Sequence, residues 1–201
     1  MKDKNYKIEY VKNDSYEEYV ANQTRTNKLK INNKWVREEN IIDIKKYCIK
    51  LSLSPKKILC HGTRNGAEIK YFQKHFPNSQ VIGTEISDTA EKFPDTVQWD
   101  FHDVKEEWIN QFDIVYTNSW DHSYDLDKAT NSWIEQLNEN GVMVLDWSSY
   151  STSKPFSKSD CCGCSLEDLK SFLSEKGEVV DFPTKGFGAE KSYLVITSKN
   201  N

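Results

Sequence analysis

Short apolar runs recur along this chain and predict the strands of a sheet. They are Lys57–Cys60, Gln80–Glu85, Thr96–Asp100, Phe112–Tyr116, Gly141–Trp147, Val179–Phe182 and Ser192–Thr197. The fifth run is apolar enough to be buried on both faces, which is typical of a parallel sheet. The glycine-bearing segment Lys185–Gly188 joins the last two runs, so we expect them to form an antiparallel hairpin at one edge of an otherwise parallel sheet.

Amphipathic stretches fill the gaps between these runs and predict helices. One helix is expected over Ala67–Phe76, and another over Lys128–Leu137, ended by Asn140–Gly141. Ser165–Asp168 resembles a capping box at the start of a helix that runs to Lys176. Strands that alternate with helices in this way predict an α/β fold.

The N-terminal quarter of the chain has a different pattern, with apolar positions at helical spacing in two pieces separated by the polar stretch 22–28. We therefore divide the chain into an N-terminal helical extension, residues 1–54, that packs on a core domain, residues 55–201. The extension is a candidate lid over an active site, and the alternative is a solvated loop before a docking helix. The candidate lid residues are Gln23, Arg25, Asn27 and Lys28.

Composition and charge exclude some classes of function. The 201 residues carry a formal net charge of −4, so no global basic field attracts nucleic acid. No apolar run approaches the about 20 residues of a membrane span, and the polar N-terminus lacks the apolar core of a signal peptide. We expect a soluble, cytoplasmic protein that binds neither membrane nor nucleic acid, and its oligomeric state is left open.

The segment Ile58–Glu85 carries the first candidate site. A strand leads into a loop with Gly62 and Gly66, a helix follows, and the next strand ends at Glu85. Glycines let the backbone approach a ligand at a helix N-terminus, where N–H groups are unpaired. Glu85 lies 19 residues beyond Gly66, close to the interval of about 20 residues expected for a ribose-binding carboxylate. The segment therefore predicts a pocket for an adenosine-containing cofactor.

This layout resembles the class I S-adenosylmethionine-dependent methyltransferases over residues 55–198. The resemblance implies a Rossmann-like three-layer sandwich with a seven-stranded, mostly parallel sheet whose last strand is antiparallel. Val81–Ser87 is close to the family's V-I-G-x-D/E-x-S motif. A nicotinamide dehydrogenase is disfavoured, because its G-x-G-x-x-G spacing, which admits a pyrophosphate, is missing.

The resemblance also implies S-adenosyl-L-methionine as the cofactor and assigns residues to it. Glu85 would hold the two ribose hydroxyls, Asp100 would lie beside the adenine amino group, and Phe101 against the ring. The end of the fourth strand would run under the methionine part. The complete set of predicted cofactor-binding residues is His61, Gly62, Thr63, Arg64, Gly66, Glu85, Ile86, Asp100, Phe101, Asn118 and Ser119.

The first motif departs from the family's pattern, an acidic strand end followed by G-x-G-x-G, at two positions. Cys60 stands in place of the acid, and Arg64 in place of the middle glycine. A positive φ at Arg64 would strain a non-glycine residue. Its guanidinium would instead suit the carboxylate of the cofactor. Glu68 is a candidate replacement for the missing acid.

The segment Asn118–Asp125 carries the candidate catalytic residues. His122 could accept a proton from a hydroxyl or amine, and Asp121 could orient it or bind the acceptor. The alternative is that both residues cap a loop and the next helix. The N-P-P-Y type of motif that the family's adenine-ring methyltransferases carry is missing, which disfavours methylation of DNA adenine.

We therefore predict a methyltransferase that acts on O or N of a small molecule or of a sugar- or glycan-type acceptor. A protein that binds S-adenosylmethionine or S-adenosylhomocysteine without turnover, or serves as a scaffold, is the alternative. Two metal sites are conceivable: a magnesium site built from strand-end groups (His102, Asp103, Asp121, His122, Asp146) and a zinc site at Cys161–Cys164. Neither has the ligand spacing that fixes a site, so no metal is predicted.

Overall fold

A seven-stranded sheet forms the centre of the protein. The computed structural model describes residues 5–149, 156–185 and 190–198. The strands of the large sheet are β2 (Lys57–His61), β3 (Gln80–Glu85), β4 (Thr96–Gln98), β5 (Phe112–Thr117), β6 (Leu137–Ser148), β8 (Gly177–Lys185) and β9 (Glu190–Ser198). A separate antiparallel pair consists of β1 (Glu9–Tyr10) and β7 (Cys162–Gly163).

The strand order of the large sheet is β4-β3-β2-β5-β6-β9-β8. The first five strands are parallel to one another, and β9 runs antiparallel to both β6 and β8. The predicted mostly parallel sheet with an antiparallel last strand is thus confirmed. The predicted closing hairpin is also present, with β8 at the edge, although residues 186–188 of its connection lie outside the described residues.

Helices cover both faces of this sheet and give the predicted three-layer sandwich. On one face lie α2 (Glu38–Lys50) and α3 (Ala67–His75), and on the other α4 (Leu126–Glu135) and α5 (Leu166–Ser174). A further helix, α1 (Tyr16–Leu29), lies over the carboxyl ends of the strands. Side chains of β5 alternate between the two layers. Val115 packs in the apolar cluster that contains residues of α4 and α5, whereas Ile114 and Tyr116 pack in the cluster that contains residues of α2 and α3. Among the described residues no helix combines the length and apolar character that a bilayer crossing needs.

The polar stretch 22–28 is helical and forms the second half of α1, so the prediction that it separates two helical pieces was wrong. Its buried members are held by hydrogen bonds. Gln23 Nε2 donates to the Ser159 carbonyl at 2.7 Å, and Asn27 Oδ1 accepts from Thr89 Oγ1 at 2.9 Å. An apolar periodicity cannot reveal a helix face that is buried through polar contacts.

The predicted helix end at Asn140–Gly141 was also wrong. Helix α4 ends at Glu135, and the two residues lie within β6, in a bulge opposite β5. Phe112 pairs with Leu137 and Ile114 pairs with Val142, so one residue of β5 faces four of β6. A Cβ at Gly141 would lie 2.6 Å from the Phe112 carbonyl oxygen. Glycine is therefore required here by close backbone approach.

Candidate functional site

A narrow cavity of about 40 Å³ lies at the carboxyl ends of β2, β3 and β5, under α1. It is lined by Tyr19, Gln23, Thr26, Asn27, Gly62, Arg64, Glu85, Ile86, Asp100, Phe101, Ser119 and His122. The structure thus brings together most of the predicted cofactor residues and the predicted base. Ligands bind at this edge of open α/β sheets because the loops that follow the strands meet there.

Glu85 fastens the glycine loop to the end of β3. Its Oε2 accepts the backbone N–H of Arg64 at 3.0 Å, and its Oε1 accepts the backbone N–H of Ser87 at 3.0 Å. Burial raises the pKa of this carboxyl group, while the two backbone donors and the Arg64 charge oppose the rise. The carboxylate at the tip of the strand therefore sets the path of the loop.

The loop backbone is left-handed at three positions. Gly62, Arg64 and Gly66 have φ values of +72°, +43° and +68°. A Cβ at Gly62 would lie 2.6 Å from the Cβ of Ser119, so the loop touches the end of β5. The expected strain at Arg64 is therefore present, since a left-handed backbone costs a non-glycine residue about 1–2 kcal/mol.

The Arg64 side chain brings a poorly satisfied cation to the cavity. Its Nε is buried and has no hydrogen-bond partner. Burial lowers the pKa of the guanidinium, and the charges of nearby carboxylates oppose this. These carboxylates belong to Glu85, Glu68, Asp160 and Asp121. The wall around Arg64 is thus acidic, and the Nε–H of Arg64 is left as a donor for a ligand.

Asp100, which the resemblance assigns to the adenine, lines the cavity and is already hydrogen-bonded. Its Oδ1 accepts from the backbone N–H and from Nδ1 of His102, at 2.9 and 2.6 Å, and its Oδ2 accepts from the Tyr16 hydroxyl at 2.8 Å. Burial would raise the pKa of Asp100, but its bonds and charge interaction with His102 outweigh it and hold the pKa below its usual value. Helix α1 is therefore tied to Asp100 in the cavity wall.

His122 also lines the cavity, beside two carboxylates. Its Nδ1 donates to the Ser159 carbonyl at 2.8 Å, and its Nε2 is 3.9 Å from Asp121 Oδ1. Asp160 Oδ1 lies 3.7 Å from Nδ1. Burial raises the pKa of Asp121 above its usual value. Because Nδ1 is occupied as a donor, Nε2 is the nitrogen that could accept a proton.

Asp160 lies beside His122 but was not predicted from the sequence as part of the site. One carboxylate oxygen of Asp160, one of Asp121 and a ring nitrogen of His122 all lie within 4.8 Å of one another, so the three groups could hold a metal ion. The other groups weighed for a metal are engaged elsewhere: His102 binds Asp100, Asp103 pairs with Lys128 at 2.7 Å, and Asp146 accepts from Tyr116 at 3.4 Å. No local pattern links Asp160 to His122, because their approach depends on how residues 157–160 fold back onto α1.

Four of the predicted cofactor residues do not line the cavity. His61 lies inside the sheet, where Nε2 donates to the Gln136 amide oxygen at 2.8 Å and Nδ1 accepts from the Thr84 hydroxyl at 2.9 Å. Its side chain links β2 to β3 and to the C-cap of α4, and it does not line the cavity. Thr63 is buried against Thr84, Gly66 is the N-cap of α3, and Asn118 Nδ2 donates to Glu68 Oε1 at 3.2 Å.

The cysteine cluster is a packing element. Cys161, Cys162 and Cys164 are buried and carry free thiols. The Cys161 thiol donates to the His122 carbonyl and the Cys162 thiol to the Trp120 carbonyl. Burial raises the pKa of Cys161 to about 12. The thiols are therefore protonated and hold this segment against the loop after β5.

Of the four lid candidates, two face the cavity and two do not. Gln23 and Asn27 are buried and line it. Arg25 is exposed, and Lys28 forms an exposed ion pair with Asp88 at 2.8 Å. Tyr19, which is not among these candidates, also lines the cavity, and its hydroxyl donates to the His122 carbonyl at 3.1 Å.

Several solved methyltransferase structures are similar to this chain. The N-methyltransferase NodS from Bradyrhizobium japonicum WM9, solved in complex with S-adenosyl-L-homocysteine, matches 87% of this chain and 98% of its own, with a TM-score of 0.60 and 12% identity. The plantazolicin methyltransferase BpumL in complex with the same compound matches 91% and 97%, with a TM-score of 0.65 and 10% identity.

The CurJ carbon methyltransferase matches 78% of this chain with a TM-score of 0.59 and 16% identity, and this chain spans about half of it, 52%. No protein-family model and no curated protein sequence matches the chain. At these identities the likeness defines the fold. The chain has the fold of the class I S-adenosylmethionine-dependent methyltransferases.

Replacing His61 tests whether its two buried hydrogen bonds, to Thr84 and Gln136, stabilise the fold. Burial lowers the pKa of His61 to about 4, so the folded state excludes a proton that the unfolded chain binds below its ordinary pKa of 6.5. Stability is therefore full above pH 6.5 and falls as pH drops towards 4, by about 3 kcal/mol. We expect His61→Leu to lower the free energy of unfolding by about 2–3 kcal/mol at pH 7, because Thr84 and Gln136 lose their hydrogen-bond partner. In urea unfolding, the variant should also show a weaker dependence of this free energy on pH. His75→Gln, at a partly exposed histidine, is the control and should keep the wild-type dependence of the free energy of unfolding on pH. If His61→Leu also kept that dependence, a group other than His61 would cause it.

Restoring glycine at position 64 tests the strain in the loop. Arg64→Gly removes a left-handed side chain and a buried Nε without a partner. We expect the free energy of unfolding to rise by about 1 kcal/mol, measured in urea. Ser52→Gly, at φ +56° on the exposed surface, is the matched control for the backbone alone. Its free energy of unfolding should rise by a similar amount. A loss of stability in Arg64→Gly would mean that the guanidinium supports the loop.

Proposed function

We propose that this protein is an S-adenosyl-L-methionine-dependent methyltransferase that acts on O or N of a small molecule or of a sugar- or glycan-type acceptor. One observation carries the proposal. A carboxylate at the end of β3 holds a left-handed glycine loop at the carboxyl edge of a sheet with the methyltransferase strand order. That edge is where such a fold binds an adenosine-containing ligand.

The cavity residues fit the parts of this cofactor. Glu85 would receive the ribose hydroxyls, Asp100 and Phe101 the adenine, and the end of β5 at Ser119 the methionine part. The buried Nε of Arg64 offers a donor to the methionine carboxylate, a match to guanidinium geometry. When bound, the cofactor would supply a methyl group on an already activated sulfonium. The protein's task is then to align an acceptor with it.

Helix α1 would act as a lid over this cofactor. The cavity of about 40 Å³ is far below the about 300–1,000 Å³ of ligand pockets. The Tyr16 hydroxyl occupies the Asp100 oxygen that an adenine amino group would use. We infer that α1 moves away from Asp100 when the ligand enters. Gln23 and Asn27 would then close over it.

His122 and Asp121 would serve the acceptor. Nε2 of His122 is the free acceptor of a proton, and its Nδ1–H is fixed by Ser159. A hydroxyl acceptor must lose a proton as it attacks, whereas a neutral amine can lose it later, so a base matters most for O-methylation. Asp121 lies on the Nε2 side, where it would stabilise the protonated ring or bind the acceptor.

Cofactor binding is tested by calorimetry. We expect the wild-type protein to bind S-adenosylmethionine and S-adenosylhomocysteine, and Glu85→Ala to abolish measurable binding because it removes the ribose acceptor and frees the loop. Glu91→Ala, an exposed glutamate shortly after β3, is the control and should bind as the wild type does. A wild-type protein that binds neither compound would rule out the proposed enzyme.

The role of His122 is tested by methyl transfer. Wild-type protein and His122→Ala are incubated with methyl-labelled S-adenosylmethionine and small-molecule extract from the source organism. We expect His122→Ala to bind S-adenosylhomocysteine normally but to transfer label about 100-fold more slowly. Unchanged transfer would remove His122 from the mechanism. Binding without any transfer by the wild type would favour the non-catalytic alternative.

A further inference from the structure

The backbone carbonyl of Ser159 accepts two side-chain hydrogen bonds from different parts of the protein. Gln23 Nε2, on α1, donates to it at 2.7 Å, and His122 Nδ1, in the loop after β5, donates to it at 2.8 Å. A carbonyl oxygen can only accept, so this contact requires a proton on Nδ1 and leaves Nε2 without one in the neutral ring. The Ser159 carbonyl therefore selects the form of His122 that can accept a proton at Nε2.

Residues 157–160 depend on α1 and the residues just before it for their position. Within the described part of the chain, each hydrogen bond that joins them to another segment runs either to residues 13–26 or to His122. Thr26 Oγ1, for example, lies 2.8 Å from Ser159 Oγ. Their other hydrogen bonds close the segment on itself. The carbonyl that orients His122 is thus anchored to the helix and not to the sheet.

One face of α1 supplies the contacts to Ser159 and His122. Tyr19, Gln23 and Thr26 are separated by four and three residues, the spacing that places side chains on one face of a helix. The Tyr19 hydroxyl donates to the His122 carbonyl at 3.1 Å, so this face holds the backbone of His122 as well as its ring. Tyr19 and Gln23 are buried, so water competes little for their bonds.

We propose that Gln23 is a positioning residue: from α1 it holds the Ser159 carbonyl, and through that carbonyl it fixes His122 as the base. This inference rests on the proposed function, in which α1 moves away when the ligand enters. That movement either breaks the bond from Gln23, and the carbonyl loses its anchor, or draws residues 157–160 away, and His122 loses its acceptor. Methyl transfer that needs the base is thus confined to the closed site.

The tautomer of His122 gives a readout that needs neither cofactor nor acceptor. Long-range ¹H–¹⁵N NMR spectra at pH 8, well above the ordinary histidine pKa of about 6.5, show which ring nitrogen carries the proton. His122→Ala assigns the signals among the four histidines. We expect the wild type to carry the proton on Nδ1. Gln23→Met keeps the side-chain length and removes the donor, and it should raise the proportion of the Nε2–H tautomer about 5-fold because the carbonyl loses one hydrogen bond.

Asn27→Leu is the matched control. Asn27 is a second buried amide on α1 that lines the cavity, and it contacts Thr89 instead of Ser159. The ring tautomer in this variant should match that of the wild type. If Gln23→Met does not fold, Thr26→Val, which removes the hydroxyl beside Ser159 Oγ, decides in its place and should act in the same direction. An unchanged tautomer in the folded variant, or an equal change in Asn27→Leu, would overturn the inference.

A double-mutant cycle of methyl transfer separates positioning from direct contact with a ligand, because Gln23 also lines the cavity. Transfer is measured with methyl-labelled S-adenosylmethionine at saturation and the small-molecule extract as the source of acceptor. We expect Gln23→Met to slow transfer about 5- to 10-fold in the wild-type background and less than about 2-fold in the His122→Ala background.

No loss in the wild-type background, or an equal loss in both backgrounds, would show that Gln23 does not act through His122 and would overturn the inference. If the wild type transfers no label, the proposed function fails instead. The tautomer measurement then still decides whether Gln23 orients His122.

Discussion

The pair of hydrogen bonds that Glu85 accepts from backbone N–H groups organises the whole candidate site. One bond holds the loop at Arg64 and the other holds the turn at Ser87, so a single carboxylate connects β2, β3 and the start of α3. A buried charge-assisted bond of this kind is strong because water does not compete for it. It keeps Arg64 in a left-handed conformation that the residue would not adopt alone.

The sheet was predictable because its apolar runs are dictated by burial on both faces, and Ile114, Val115 and Tyr116 show this within three residues of β5. What the sequence could not reveal depends on contacts between polar groups. The second half of α1 is held by Gln23 and Asn27, whose buried amides leave no apolar signature. The Asn138–Gly141 bulge likewise reflects strand register, which no local pattern encodes.

In the site, too, local sequence patterns were predictable and contacts between distant polar groups were not. The glycine loop and Glu85 were found because their spacing is fixed by one strand-helix-strand unit. Asp160 and Tyr19 were not assigned to the site, since they reach His122 from distant segments of the chain. The Tyr19 hydroxyl donates to the His122 carbonyl, and Asp160 follows Ser159, whose carbonyl joins Gln23 to His122. His61 does not line the cavity, for a different reason. It belongs to the loop motif in sequence, but strand alternation turns its side chain into the sheet.

The unpaired groups around the cavity point to one kind of ligand. Arg64 is the cation at a wall where Glu68, Glu85, Asp121 and Asp160 all act on its charge. Burying this excess of acids destabilises the empty protein, as the raised pKa values of Glu68, Glu85 and Asp121 indicate. A ligand with one carboxylate and two positive centres, an ammonium and a sulfonium, has a net positive charge and would reduce that excess while its carboxylate pairs with Arg64. The electrostatics of the cavity therefore favour the charged methionine end of the cofactor over a neutral nucleoside alone.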